Sequence, residues 1–420
     1  MEELKKENSD VKATCEQQAS LIESLESRMA ELEKENDLLA FENHSLKLNQ
    51  NVSNNSVVVQ NFQHQNEAHQ EREDFISMIP GSSNYPNQVV GTNVNCHGGM
   101  NLLCSRFHPQ STHFIVTGAV DKRVNLYEID GDHIFEIRSS LALSAPVLKL
   151  EFRPQGDLLL ICCLDGTHHM INFSGTQLLE ESLQSFKEHK KHVIDCRWSK
   201  DGMYYATASH DKSVVIYKID SDLSTSEKNT VYFTNTVEAI EFSAGEDLEL
   251  IVAMRECASL VYINCATLDQ RKVSINDADW DTHVSFTIMH LQRSPDDKYL
   301  LAATDKSRLI VYEVGSNRHL RLFYGHTADE YFNPRAVWHQ SGKYILANSQ
   351  TNHEICVWCV ASQNIVHRLQ GHSKLVRDIS HHQTENMLLT ASYDGSVKIW
   401  KHVEEEVESV DITEVNVESL

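Results

Sequence analysis

The chain has 420 residues, 41% of them hydrophobic, and its 37 Lys and Arg face 60 Asp and Glu for a formal net charge of -23. That is ample apolar material for a sizeable buried core, while so acidic a surface repels phosphates and argues against direct nucleic-acid binding. No run is long and apolar enough to span a bilayer, and the charged start Met1-Glu2-Glu3-Leu4-Lys5-Lys6 is unlike a secretory leader, so the ten cysteines are expected as thiols in a reducing compartment, cytoplasmic or nuclear.

Residues 1-49 contain no Gly or Pro and are dense in Glu, Lys, Leu and Gln. With Met1 at heptad position a, the d positions are Leu4, Val11, Gln18, Leu25, Leu32, Leu39 and Leu46, and the a positions include Ile22, Met29, Asn36 and Asn43. Leu at d with Asn at a favours a parallel two-stranded coiled coil, because paired buried amides satisfy each other in that register. The flanking charges agree, with Glu7 facing Lys12, Arg28 facing Glu33 and Glu42 facing Lys47 across a homodimer. Dimerisation is therefore expected through Leu4, Val11, Ile22, Leu25, Met29, Leu32, Asn36, Leu39, Asn43 and Leu46, with a helix from a different chain as the alternative partner. Residues 50-86 are rich in Asn, Gln, Ser and His, bury too little to fold, and are expected to act as a flexible tether.

Residues 87-402 repeat. Each unit has a turn with His or Gly-His, a short apolar strand, a polar Gly-containing turn, a strand of small residues, an Asp turn and a third strand. The clearest is the last, with Gly371-His372 leading to Ser392-Tyr393-Asp394-Gly395-Ser396-Val397-Lys398-Ile399-Trp400. The residue near the end of each third strand gives the series Tyr127, Ile171, Tyr217, Tyr262, Tyr312, Trp358 and Trp400, spaced by roughly 42 to 50 residues. Strands joined by Asp-Gly and Ser-Gly turns form small sheets that cannot bury both faces alone, so several must stack. The best strand to close such a ring is 88-94, with 407-417 as its rival; residues 403-420 otherwise form an acidic tail.

These residues resemble the WD40 family over about three quarters of the chain. The resemblance implies an all-β fold, a seven-bladed β-propeller preceded here by a long coiled-coil helix. It also implies a structural hydrogen-bond network on His372, Ser392, Asp394 and Trp400, and on His189, Ser209 and Asp211. The order of coil and propeller is similar to that of autophagy adaptors, Groucho-type corepressors and Lis-type motor regulators.

A His, Ser and Asp set that recurs from unit to unit is a structural device, whereas a hydrolase concentrates one nucleophile, one base and one oxyanion pocket. No catalytic residue, no small-molecule substrate, no cofactor and no metal are expected; Cys356 and Cys359, three apart on a strand, point to opposite faces. Other proteins are the expected partners, docking on loops of one propeller face. Two long turns, 276-282 and 327-335, supply the candidates Asp279, Trp280, Asp281, Tyr331, Phe332 and Arg335, with Tyr393 and His210 beside their own turns. Such a chain is expected to be a non-enzymatic scaffold. The alternatives are a subunit like the G-protein β chain, whose helix pairs with a different protein, and a substrate receptor of a ubiquitin ligase.

Overall fold

The computed structural model describes residues 84-404, apart from 131-132, 221-222, 224, 246, 278-282 and 330. The heptad segment, residues 50-83 of the tether and residues 405-420 of the acidic tail, and with them every expected dimerisation residue, lie outside the described residues.

The described strands form seven four-stranded antiparallel sheets. A lone strand, β1 (Gln88–Asn93), comes first. Blade one is β2 (Leu102–Phe107), β3 (Phe114–Ala119), β4 (Arg123–Asp130) and β5 (His133–Ala142); blade two is β6 (Val147–Phe152), β7 (Leu158–Cys163), β8 (His168–Phe173) and β9 (Leu178–Phe186). Blade three is β10 (Val193–Trp198), β11 (Tyr204–Ser209), β12 (Ser213–Ile219) and β13 (Thr225–Tyr232), and blade four β14 (Val237–Phe242), β15 (Glu249–Met254), β16 (Ser259–Asn264) and β17 (Gln270–Ser274). Blade five is β18 (Ile288–Arg293), β19 (Tyr299–Thr304), β20 (Leu309–Glu313) and β21 (His319–Phe323), and blade six β22 (Ala336–Trp338), β23 (Tyr344–Asn348), β24 (Ile355–Cys359) and β25 (Ile365–Leu369). Blade seven has β26 (Val376–His381), β27 (Met387–Ser392) and β28 (Val397–Lys401), and takes β1 as its fourth strand.

Closure is therefore made by the N-terminal strand, in the register Val89 to Trp400 and Asn93 to Val397. The first strands of successive blades abut one another around the ring, and β26 meets β2. Second strands are apolar on both faces, as in β3 (FIVTGA) and β7 (LLLICC), because a blade lies on either side of them. Fourth strands are half-buried or exposed along most of their length, as in β9. Separate apolar clusters fill the spaces between blades, for instance Val116, Leu126, Val147 and Leu150 between blades one and two. Gly118 sets the closest approach there: a Cβ would fall 2.6 Å from Val147 Cγ1 and 2.7 Å from Cys104 Sγ. All seven marker residues lie in third strands and are buried.

Because β1 completes blade seven from the other end of the ring, a chain starting at Asn95 should melt several degrees below one that retains β1. Thermal unfolding followed by circular dichroism checks this; equal midpoints would show that β1 contributes nothing to closure.

Candidate functional site

Every inner strand except β22 has a register shift directly after its first residue, between Val193 and Asp195 in blade three and at matching positions elsewhere. Such a bulge re-aims the residue that follows it. Lys149, Asp195, His290 and Asp378 stand at that level, and Arg106, Glu151, Arg197, Glu241 and Gln292 two residues further on. Arg335, just before β22, matches the first level.

These side chains interlock across blades. Arg106 Nη1 lies 2.6 Å from Asp378, and Arg106 Nε lies 3.1 Å from Glu151. Lys149 Nζ is 3.2 Å from Asp195, Arg197 Nε is 3.3 Å from Glu241, and Arg197 Nη2 donates to His290 Nε2 at 3.0 Å. The inner strand of a sheet presents unpaired N–H groups, and here neighbouring blades cap them. Ser105 N donates to Asp378 Oδ2, Ile240 N to Asp195 Oδ2 and Trp338 N to Gln292 Oε1. Burial works against the charged form of Asp195, but Arg197 and Lys149 outweigh it and hold the carboxyl down to about 2. Burial and the nearby arginines lower Lys149 to about 8, and burial pushes the Glu241 carboxyl up. A cavity of about 410 Å³ opens at the far ends of the inner strands, lined by Arg106, Glu151, Arg197, Glu241, Arg293 and Trp338 among others. In this network Arg106, Lys149 and Arg197 are committed to Asp378, Glu151, Asp195 and Glu241 and hold the blades together, while Arg335 Nε and Nη1 are buried without a hydrogen-bond partner among the described residues.

A second set of networks sits at the start of individual blades. In blade seven Trp400 Nε1 donates to Thr390 Oγ1 at 2.9 Å, Thr390 Oγ1 lies 2.8 Å from His372 Nε2, and His372 Nδ1 lies 2.9 Å from Asp394. With a carboxylate at Nδ1, that nitrogen carries the proton and Nε2 accepts from the threonine. Blade three repeats the arrangement with Thr207, His189 and Asp211, and blade one with Thr117, His97 and Asp121. Ser392 does not touch His372. Its hydroxyl donates to the carbonyls of Lys374 and Leu375 and accepts the Asp394 N–H. Ser209 bonds to the Lys191 carbonyl and the Asp211 N–H in the same way. The link expected of the serine is made by the threonine two residues earlier. Burial disfavours ionised Asp394, but hydrogen bonds from His372, Ser396 and the Ser373 N–H hold its carboxyl well below the usual range. Blade six has the leading histidine without the aspartate: His326 is buried edge-on to Trp358, 5.4 Å away, and burial, then Arg368, lowers it to about 4.

The third feature is a ring of turn residues on one face. The turn between second and third strands in each blade places one residue whose N–H bonds back to the loop before the first strand. The pairs are Val120 with Asn101, Leu164 with Pro146, His210 with His192, Arg255 with Thr236, Asp305 with Thr287, Gln350 with Thr327, and Tyr393 with Leu375. This repeated bond puts the seven turns on a common rim, here the upper face, with side chains that the blades do not use. Adjacent turns and loops touch: Cβ atoms added at Gly395 or Gly166 would strike the backbone of Gly99 or His189 on the next blade. The rim is uneven. On blades one and two Met100, Val120 and Leu164 are 51%, 39% and 47% exposed, next to half-buried Tyr393. Over blades three and four it is polar, with His210 Nδ1 2.7 Å from His192 Nε2, His210 Nε2 3.1 Å from Glu238, and Arg255 Nε 2.7 Å from Glu238.

The expected partner residues are thus scattered. Asp279, Trp280 and Asp281 lie outside the described residues. Tyr331 is 89% exposed, but the expectation that Phe332 and Arg335 contact a partner needs correcting. The N–H groups of Tyr331 and Phe332 both donate to Asp329 Oδ1, a tight turn that folds the Phe332 ring back under the loop, and Arg335 is buried at the start of the inner strand. His210 is held by His192 and Glu238, and Tyr393 joins the apolar arc. Sequence reading missed Met100, Val120 and Leu164, which no motif marks, and the threonines, which were legible as Thr207-Ala208-Ser209 and Thr390-Ala391-Ser392.

A family model described as WD domain, G-beta repeat matches residues 363–401, the end of blade six through blade seven. The described residues form a seven-bladed propeller whose last blade matches the WD40 repeat. A second family model, described as eukaryotic translation initiation factor eIF2A, matches residues 100–234, which span blades one to three. The WD repeat-containing protein 26 homolog of Arabidopsis thaliana is 20% identical over 291 residues, 68% of this chain and 46% of that protein. GID complex subunit 7 of Schizosaccharomyces pombe is 20% identical over 236 residues, 53% of this chain and 42% of that protein. The DDB1- and CUL4-associated factor 10 of Xenopus tropicalis is 24% identical over 148 residues, 34% of this chain and 32% of that protein. The chain spans less than half the length of these curated relatives in each match.

The buried histidines give the propeller a pH dependence with a definite sign. Burial lowers His168 to about 3, His326 to about 4 and His381 to about 3. The unfolded chain binds those protons near 6.5, so stability falls as pH drops below 6.5, by about 1.4 kcal/mol per pH unit for each histidine. The depressed carboxyls Asp211 and Asp394 act lower, their contribution being present above about 4 and lost as pH falls further. Urea midpoints at pH 7.5, 6.5 and 5.5 should fall in that order, and His326→Gln should flatten the slope. A midpoint constant across that range would rule out buried neutral histidines.

Proposed function

We propose that this chain is a non-enzymatic interaction scaffold, a subunit of a multiprotein assembly that holds protein partners on the upper face of its propeller. The observation that carries this reading is the rim itself: three adjacent apolar side chains, Met100, Val120 and Leu164, stand exposed where the blades have no use for them. Exposed apolar surface rimmed by polar residues marks sites of protein interaction, with surrounding charge steering encounter. Arg106, Lys149 and Arg197 on the axis are paired with carboxylates, and the histidines of blades one, three and seven are bonded to aspartate and threonine, which favours structural roles over catalysis.

Two relatives are named for assemblies, a GID complex and DDB1 with CUL4, which supports membership of a larger complex and keeps open the reading of a receptor subunit that presents other proteins to it. In this proposal residues 1-49 pair two copies, so that two propellers share one stalk and weak contacts add through effective concentration. The tip of the long turn at Tyr331, with Asp279, Trp280 and Asp281 on the neighbouring turn, forms a second contact region on the same face.

Proximity labelling in cells, comparing wild type with Val120→Asp plus Leu164→Asp and with Trp280→Ala plus Tyr331→Ala, tests the face. Loss of a shared set of neighbours in the first variant is expected, and an unchanged set in both would overturn the proposal. The stalk is tested by light scattering of the full chain: Leu25→Asp plus Leu32→Asp should halve the mass, and a wild-type monomer would sink the dimer.

A further inference from the structure

The upper rim of blades seven, one and two is unusual in this protein for its charge as well as its apolar arc. In a chain of net charge -23, Lys122 on the turn of blade one and Lys374 on the loop leading into blade seven are exposed, with no ion pair among the described residues. Lys190 and Lys191, at the start of blade three, extend the positive border. The carboxylates in the same region keep their charge but are hydrogen-bonded within their own turns, with Asp165 exposed beside Leu164. Asp121 is bonded to His97 and the Arg123 N–H, Asp165 to Thr167 and Ser144, and Asp394 to His372 and Ser396. Free cations thus border free aliphatic surface, a surface matched to a segment that alternates carboxylates with aliphatic side chains.

Residues 405-420 are such a segment. They carry Glu405, Glu406, Glu408, Asp411, Glu414 and Glu418, no Lys or Arg, and the aliphatic residues Val407, Val410, Ile412, Val415, Val417 and Leu420. The described chain ends beside the start of β1, where Val403 N donates to Asn87 Oδ1 at 2.8 Å and Asn87 N to Lys401 O at 3.0 Å. That is the lower end of blade seven, the blade whose upper end carries Tyr393 and Lys374. β1 covers the blade's height in six residues, roughly 20 Å at the rise of a strand. Sixteen extended residues reach roughly 50 Å, enough to climb blade seven and leave about ten residues for the rim.

We infer that residues 405-420 dock on the upper rim of blades seven, one and two, their aliphatic side chains against Met100, Val120 and Leu164 and their carboxylates towards Lys122 and Lys374. The inference rests on the reading of this face as a binding surface. It makes the segment a tethered competitor: an outside partner on this patch has to displace it, and the effective concentration of a short tether sets how strongly.

The test uses the full-length chain and a labelled synthetic peptide of residues 405-420, followed by fluorescence anisotropy. A full-length variant with its own segment weakened, Val410→Ser, Ile412→Ser and Val415→Ser, should bind the peptide saturably and at least ten-fold more tightly than wild type, whose rim is occupied. Adding Lys122→Glu and Lys374→Glu, or Leu164→Asp, to that variant should cost a further ten-fold or more, with circular dichroism confirming the fold. Equal affinity for wild type and the weakened variant overturns the inference, as does equal binding of a scrambled peptide or indifference to the rim substitutions. If the peptide fails while Val120→Asp plus Leu164→Asp still loses its labelled neighbours, the binding face stands and only the docked segment falls.

Discussion

A propeller is stable only as a closed ring, because each blade is apolar on both faces and has no other way to cover them. In this protein closure rests on one pairing between distant parts of the chain, β1 against β28, with Val89 opposite Trp400. Without it blade seven has three strands and Trp400 loses the strand that covers one side of its sheet. The clusters on either side, Val337 to Trp400 between blades six and seven and Leu102 to Ile399 between seven and one, both depend on that blade being complete.

The axis solves the complementary problem. Seven inner strands converge with one hydrogen-bonding edge each unpaired, and water-exposed edges invite pairing with other chains. Here Asp195, Asp378 and Gln292 accept N–H groups from the next blade, while Arg106, Lys149 and Arg197 neutralise the carboxylates. Buried ion pairs add little net stability over well-packed apolar groups, but breaking one leaves an uncompensated charge. The network therefore contributes mainly by fixing the order and level of the blades, which in turn fixes where the turns of the upper rim stand.

That division explains what the upper face is free to do. The leading histidines, their aspartates and the threonines are committed to holding each turn in place, and what projects from the turn is left unconstrained by the fold. Blades three and four place His210 and Arg255 there, bonded to Glu238; blades one and two place Val120 and Leu164, which bond to nothing through their side chains. Specificity of a scaffold of this kind lies in these few positions, since a propeller fold by itself carries no single function.

The repeat, the blade count, the closing strand 88-94 and the marker residues were legible because strand alternation and turn chemistry are local, and a period of forty-odd residues survives heavy substitution. The histidine and aspartate partners were legible for the same reason, since 22 residues separate them in blades three and seven alike. Tertiary structure alone decided the rest. Thr390 and Ser392, two apart on one strand, share a face, and only the folded positions of the His372 ring and of the Lys374 and Leu375 carbonyls decide that Thr390 completes the link to His372 while Ser392 bonds to backbone. Arg335 and Phe332, which look like loop residues in a linear sequence, are buried because the loop doubles back into the ring. Lys149 meets Asp195, and Arg106 meets Asp378, only because separate blades are brought side by side, and contacts between residues more than forty positions apart leave no periodic trace in the chain.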